Sequence, residues 1–401
     1  MYPIDEDAST VLTTLREQIE PSGDSDLVGA MYQLEDLYER KLWYQLSEVL
    51  SQNVYKNENS TPIRLKLFEN FVLKFNDKIN QLKLIEFLLL SLQDCDLKER
   101  LEYLTNLKDL IRNRKNIKKT DDDDIADIDI IQALLFLEIE IAGVKLNLGF
   151  VDEASAIIDE CSKRIDKINW SLDNRINASY YFTNASLMKL KGDYTAVYYN
   201  SLLFLACIDN LDDLANKHAI VKDICASALL GDKIYNFGEI IMHEIFQYLD
   251  IAWLKQLIIA LNSGDLAAFE QVLGNPEIRQ IPEIASNVGF LKQKMCIMSL
   301  TKLIFNSPTQ NRTFKYDAIM AQVPFLQNYN EVENLLIKCF SLQLMKGLIN
   351  EVNSEVEISW IQPRTMTLDQ IEAMKKKLIV WSDKVSDLNQ FMASAGKELW
   401  V

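Results

Sequence analysis

Apolar residues recur every three or four positions along most of the chain, which is the spacing of amphipathic α-helices. Met31, Leu34 and Leu37 are an early example within a helical pattern that runs from residue 27 to about 112. A second helical stretch is predicted to begin near Ile130. The pattern therefore predicts a mainly α-helical protein.

Three helix ends repeat one local pattern, in which Gly closes one helix, an apolar residue two positions later opens the next, and Ala follows shortly. The three segments are Gly149-Phe-Val151, Gly192-Asp-Tyr194 and Gly264-Asp-Leu266. The glycines lie 43 and 72 residues apart, and since 72 is about two repeats of 36, both separations suit helix-turn-helix repeats of about 34 to 47 residues. Such helix pairs bury their apolar faces by stacking, so we predict an α-solenoid of TPR-like repeats. Unrelated helix ends that share Gly-Asp remain the alternative.

From Leu291 onward the pattern changes to short helices and strands. We predict, in order, a helix at Leu291–Phe305, a strand at Thr313–Tyr316, a helix at Asp317–Gln322, a helix at Glu331–Met345, and strands at Leu348–Val352 and Glu355–Ile361 around Asn353-Ser354. In the last strand Val356, Ile358 and Trp360 alternate with polar residues, as in a strand with one buried face. This order of elements is that of a winged helix.

Many winged helices bind DNA, but the charge of this one argues against it. Residues 330–364 hold five Glu against three Lys or Arg, whereas contact with phosphates needs an excess of positive charge. The outer edge of the hairpin is better suited to pairing with a strand of another protein. The predicted contact residues are Leu348, Ile349, Val352, Val356, Ile358 and Trp360.

The C-terminal segment carries a narrow apolar seam. Its members are spaced alternately three and four residues apart, which is typical of a coiled coil or a helix bundle; they are Ile371, Met374, Leu378, Trp381, Val385, Leu388 and Met392. Thr367-Leu-Asp-Gln370 fits a capping box, with Met366 and Ile371 placed as a hydrophobic staple. The helix could fold back on its own domain, but its place at the end of the chain favours partner helices.

Composition and charge narrow the functional classes. Gly accounts for 12 and Pro for 8 of the 401 residues, too few for the turns of a β-rich or glycine-loop nucleotide fold. The length suggests two or three domains, and the net charge of −16 is the wrong sign for a protein that binds nucleic acid. The acidic start has no signal-peptide pattern, and the apolar run Leu84–Leu92 is too short to span a membrane. We therefore expect a soluble, intracellular protein.

The residues that carry most enzyme chemistry are scarce. The chain has two His and six Cys, without an H-x-H, H-E-x-x-H or C-x-x-C motif, so a zinc deubiquitinase of the JAMM type is excluded. Cys207, His218 and Cys225 lie near one another in sequence, but we interpret them as packing residues and not as a thiol protease site. The acidic run 121–124 lacks the Glu that ends an EF-hand loop and is predicted to be a solvated interhelical loop. No enzyme activity, cofactor or metal is expected.

Several segments resemble one family closely. Leu229–His243, which contains Gly-Asp-Lys-Ile-Tyr-Asn-Phe-Gly, and Ile358–Arg364 are the most specific. Lys41–Glu48, Phe75–Leu82 and the Glu398-Leu-Trp-Val401 end agree as well. On these motifs the chain resembles, nearly end to end, the PCI-domain subunits of the proteasome regulatory-particle lid.

The resemblance implies a non-catalytic scaffold in the cytoplasm and nucleus. It implies four parts: N-terminal helical repeats (1–170), the helical part of a PCI domain (171–285), its winged helix (286–362) and a tail helix (363–401). In that family winged helices join side by side and tail helices gather in a bundle, so the hairpin and the seam would be the contacts. The implied partners are the other PCI-domain lid subunits and the deubiquitinase module of the lid, in a hetero-oligomer without nucleic acid or membrane. Tyr235–Gly238 would form a tight, glycine-assisted bend with Tyr235 and Phe237 packed between helices.

Two other functional classes remain open from the residues. The concave face of a solenoid could bind peptides, ubiquitin chains or substrate tails, as an adaptor does. A related PCI scaffold, in the signalosome or in translation initiation factor three, is a lesser alternative.

Overall fold

A computed structural model gives the structure of the chain. It describes residues 8–19, 24–117, 124–208, 210–211, 214, 216–307, 312–365 and 368–396. The chain divides into two compact units, Met1–Asp209 and Asn210–Val401. The boundary predicted at residue 170 falls between two helices of the first unit. Among the residues described, no helix combines the length and the apolarity that crossing a membrane requires.

The first unit is helical throughout its described part. Its α-helices are α1 (Ala8–Ile19), α2 (Ser25–Glu39), α3 (Trp43–Val49), α4 (Thr61–Asn70), α5 (Gln81–Ser91), α6 (Leu97–Ile117), α7 (Asp124–Asn147), α8 (Val151–Ile165), α9 (Asn174–Lys191) and α10 (Tyr194–Ala206). A π-helical turn (Leu50–Val54) and 3-10 turns (Glu58–Ser60, Val72–Lys78) join the early helices. From α6 to α10 each helix packs on the next along the chain, as in a helical-repeat protein. Of the predicted loop 121–124, residues 121–123 lie outside the described residues, and Asp124 begins α7.

The three repeated glycines end helices as predicted. Gly149, Gly192 and Gly264 have φ of +89°, +78° and +63°, the left-handed conformation that glycine adopts without a steric penalty. The next helix begins two residues later in each case, at Val151, Tyr194 and Leu266. The helices on the two sides of each turn pack against each other. The sequence pattern thus marked true helix pairs.

Two of the family-like motifs in the first unit pack on each other. The Trp43 and Phe75 rings stack with centroids 5.6 Å apart, and Lys78 Nζ lies 4.7 Å from the centroid of the Trp43 ring. Lys83 forms an ion pair with Glu48 across the same junction. Segments 41–48 and 75–82 therefore form one structural contact, with apolar stacking inside and charge pairing outside.

The second unit combines short helices with a small sheet. Its helices are α11 (Lys217–Leu230), α12 (Gly238–Met242), α13 (Ala252–Ser263), α14 (Leu266–Leu273), α15 (Pro282–Ser286), α16 (Val288–Asn306), α17 (Tyr316–Gln322), α18 (Tyr329–Ser341) and α19 (Leu368–Gly396), with 3-10 turns at Glu244–Tyr248 and Pro276–Gln280; its strands are β1 (Thr313–Lys315), β2 (Met345–Asn350) and β3 (Glu355–Ile361). From α16 to β3 the elements follow the predicted order. The strands form an antiparallel sheet in the order β1-β3-β2, the topology of a winged helix.

The hairpin turn is longer than predicted. The strand β2 ends at Asn350, so four residues, and not two, connect it to β3. Ser354 closes this turn with φ of +51°.

Within the winged helix Tyr316 donates a hydrogen bond to Glu333 at 3.0 Å and so ties α17 to α18. Burial, with Glu333 beside the hydroxyl, raises the pKa of Tyr316 to about 12.

A buried lysine holds the end of α11. Lys294 of α16 is 1 % exposed, and its Nζ donates to the carbonyl oxygens of Ala228 and Gly231 at 2.8 Å and of Leu229 at 3.1 Å. These are carbonyls that the end of a helix leaves without intrahelical partners. Tyr235 and Phe237 place their rings 5.2 Å and 5.1 Å from the same nitrogen. This arrangement explains why the Leu229–His243 motif combines a helix end with two aromatic residues.

The prediction that Tyr235 and Phe237 are packed inside is confirmed, because they are 5 % and 0 % exposed. The predicted role of Gly238 as a bend residue needs correction. Its φ is not among the positive ones, and Gly238 instead begins α12. A Cβ there would lie 1.7 Å from Oγ1 of Thr365, so the position is restricted by the close approach of another segment.

Candidate interaction surfaces

The tail helix α19 presents its seam to solvent. It spans Leu368–Gly396, 29 residues, and every seam residue from Ile371 to Met392 is between 44 % and 66 % exposed. The residues on the other faces are exposed too, wherever their side chains are described. The alternative in which this helix folds back on its own domain does not describe this structure. Of the predicted start signals, Met366 and Thr367 lie outside the described residues, as does the Gln370 side chain.

An exposed apolar helix of this kind is unusual in a monomer. Large contiguous apolar patches on a surface mark sites of protein interaction. Fully burying each large apolar side chain contributes about 1.5–3 kcal/mol before ordering entropy is subtracted. The seam thus offers a substantial gain in free energy to any partner that covers it.

The prediction missed three apolar residues of this helix. Ile379, Val380 and Phe391 lie off the seam and are 49 %, 54 % and 68 % exposed. The sequence did contain the signal, since Leu378–Trp381 is a run of four apolar residues and such a run covers every side of one helical turn. A helix that is apolar all round is normally buried, so the middle of α19 is suited to contacts on more than one face.

The winged-helix sheet has two open edges, and β3 is not one of them. Because β3 pairs with both β1 and β2, the free edges are β1 and β2. The outer edge of the predicted hairpin is therefore β2. Leu348 is 74 % exposed on this strand and Val352 is 94 % exposed in the turn that follows, whereas Ile349 is half-buried.

Two of the six predicted hairpin contacts are corrected by their burial. Val356 and Ile358 are 0 % and 2 % exposed, and β3 packs against α16. Trp360, expected on that face, is instead 40 % exposed. The register shifts between Lys346 and Gly347, so that Ser359 is not paired with a residue of β2 in the register, and such a bulge turns the following side chain outward. Leu348, Ile349, Val352 and Trp360 remain as candidate contacts.

Of the three residues predicted to be packing residues, Cys225 is buried as predicted, whereas Cys207 is half-buried and His218 is exposed. Cys225 is fully buried, and burial raises its pKa to about 12, the opposite of what a thiolate nucleophile needs. His218 Nδ1 lies 2.8 Å from both the Tyr248 carbonyl oxygen and Asp250 Oδ2. Within the described ranges, His, Cys, Asp and Glu side chains form no group of three that could hold a metal ion.

Comparison with known proteins identifies relatives that match the chain over most of its length. The family model described as PSD13 N-terminal repeats matches residues 30–258. The 26S proteasome regulatory subunit RPN9 of Saccharomyces cerevisiae is 38 % identical over 98 % of both chains. The probable subunit rpn9 of Schizosaccharomyces pombe is 35 % identical over 92 % of both. The 26S proteasome non-ATPase regulatory subunit 13 homolog B of Arabidopsis thaliana is 30 % identical over 88 % of this chain and 90 % of its own.

Proposed function

Because this chain belongs to the PSD13 family of 26S proteasome regulatory subunits, which includes yeast RPN9, we propose that it is a non-catalytic scaffold of the regulatory-particle lid. It acts in ubiquitin-dependent protein degradation by holding other subunits together. Its site of action is wherever this complex works, in the cytoplasm and the nucleus. The observation that carries the proposal is the exposed apolar seam of α19 on an otherwise well-packed second unit.

Two surfaces support the scaffold role. The seam of α19 binds helices of other lid subunits, and the apolar middle of the helix, including Ile379 and Val380, is enclosed by more than one of them. The free β2 edge, with Leu348 and Val352, pairs with the winged helix of a neighbouring PCI-domain subunit. The two surfaces bind through different interactions. The first buries apolar side chains, and the second forms hydrogen bonds with free backbone N–H and C=O groups.

The composition supports a role without catalysis or bound cofactor. The two histidines and six cysteines carry no motif for catalysis or metal binding. The Cys225 thiol, whose pKa burial raises, is poorly suited to act as a nucleophile. We therefore propose partner binding, and not chemistry, as the contribution of this subunit.

Reconstitution of the lid with its other subunits tests the proposal. The full-length chain should co-purify as a stoichiometric member, whereas a chain that ends before residue 366 should not. Binding of the truncated chain at full stoichiometry would contradict the proposal.

A second class of function, a peptide-binding adaptor, predicts instead that the isolated chain binds ubiquitin chains in calorimetry.

A further inference from the structure

The charges beside the seam of α19 select the kind of helix that can bind it. With Ile371 and Met374 as the a and d positions of a heptad, the sequence from Ile371 to Met392 places Leu378, Val385 and Met392 at a and Trp381 and Leu388 at d. The positions that flank such a seam are e and g, and their charges set partner choice in coiled coils.

Every charged residue at the flanking positions is a lysine. Lys375 occupies an e position, and Lys377 and Lys384 occupy g positions; the remaining flanking residues, Ser382, Asn389 and Phe391, are uncharged. The carboxylates of this segment, Glu372, Asp383 and Asp387, are at the outward b, f and c positions. The flanks of the seam are therefore basic in a chain with a net charge of −16.

The flanking lysines are accessible in the free chain. Lys375, Lys377 and Lys384 are exposed along the helix. Lys376, at an outward f position, pairs instead with Glu372 of the same helix at 3.1 Å. The flanking lysines are thus placed to meet charges on a partner helix, while the outward lysine is paired within its own helix.

We propose that the seam of α19 binds an amphipathic helix of another chain whose own flanking positions carry Glu or Asp. This inference rests on the proposed function and adds the chemistry of the partner. A second copy of this chain does not meet the requirement, because its tail would bring lysines and no carboxylate to those positions. Pairing with a second copy would therefore gain no ion pair at the flanking positions.

Two designed peptides of about four heptads test the proposal with the full-length chain. Both carry the same apolar residues at a and d, and they differ only in having Glu or Lys at all e and g positions. By calorimetry or fluorescence anisotropy at low salt, the Glu peptide should bind about tenfold or more tightly than the Lys peptide. In about 1 M NaCl, where the Debye length falls to about 3 Å, the difference should largely vanish.

Variants of the chain show which lysines cause the preference for the Glu peptide. The triple variant K375E/K377E/K384E should prefer the Lys peptide, while K376E, which reverses a neighbouring outward charge, should keep the wild-type preference. Because these side chains are exposed in the free protein, the variants are expected to fold. Circular dichroism checks that they do. Equal binding of the two peptides, no binding of either, or a tail-dependent homodimer overturns the proposal. The proposed function fails separately, if replacing the apolar seam residues leaves lid incorporation intact.

Discussion

Thr365 donates its hydroxyl hydrogen to the side-chain oxygen of Asn236 at 2.9 Å, and so joins the two motifs that most resemble the family. Thr365 lies directly after the Ile358–Arg364 motif, and Asn236 is inside the Leu229–His243 motif. Arg364 is also anchored, with Nη2 3.0 Å from Met298 Sδ. The two segments are far apart in sequence but form one contact, which fixes the residues just before the tail helix on the helices of the second unit.

Substitution of Gly238 should loosen this contact. In Gly238→Ala the new methyl group would lie 1.7 Å from Thr365 Oγ1 and 2.8 Å from its Cβ, so Thr365 must move and its bond to Asn236 is lost. We expect the free energy of unfolding to fall by about 1 kcal/mol. Urea denaturation measures this, and limited proteolysis near residue 365 should become faster.

A double-mutant cycle provides the control for that experiment. Thr365→Gly removes the atoms that the methyl group meets, so Gly238→Ala should cost much less in its presence. Strictly additive effects of the two substitutions would contradict the assigned contact.

Replacing Lys294 should destabilise the second unit. Lys294→Met keeps the apolar stem but leaves the carbonyl oxygens of Ala228, Leu229 and Gly231 without their donor. Each unpaired buried polar group costs about 1–3 kcal/mol, and we expect a loss within that range after relaxation. Lys292→Met, at an exposed position of the same helix, is the matched control and should change the unfolding free energy by less than about 0.5 kcal/mol.

The same lysine should affect how stability depends on pH. Burial lowers the pKa of Lys294 from 10.5 to about 7, so above about pH 7 the unfolded chain binds more protons than the folded one. The free energy of unfolding should therefore rise with pH above about pH 7. Below that pH Lys294 is charged in both states, so the full cost of burying its charge applies. Denaturation between about pH 7 and pH 8 stays below the range near 8.5 in which thiols ionise in the unfolded chain, while burial raises the pKa values of Cys225, Cys296 and Cys339 in the folded one. Lys294→Met should lack the rise, and an identical slope in both proteins would refute the assignment.

The seam should be needed for assembly and not for folding. The triple variant L378D/W381D/V385D should keep the unfolding free energy of the wild type to within about 1 kcal/mol, because these side chains are exposed in the free chain. It should fail to co-purify with the other lid subunits, since a partner would have to bury three carboxylates in an apolar contact. Ser386→Asp with Gln390→Asp, both on the outward face, is the control and should assemble normally.

Two residues of the hairpin should have different roles, with Leu348 in the interface and Val356 in the core. Leu348→Asp should weaken the association with a neighbouring winged helix while the unfolding free energy changes by less than about 0.5 kcal/mol. Val356→Asp should instead cost several kcal/mol and unfold the winged helix, because it places a carboxylate in the apolar interior. Thermal denaturation and native mass spectrometry of both variants decide between the two roles. Two equally stable variants would show that Val356 does not belong to the core.

Local sequence patterns were enough to predict the helical class, the helix ends at Gly149, Gly192 and Gly264, the winged-helix order and the apolar seam of the tail helix. These features depend on local rules, since periodicity and the left-handed preference of glycine act over a few residues. Four features could be seen only in the folded chain: β3 is the central strand, a bulge turns Trp360 outward, Thr365 restricts Gly238, and Lys294 ties α16 to the end of α11. Those outcomes depend on contacts between segments far apart in the chain, which side-chain spacing along one segment does not contain.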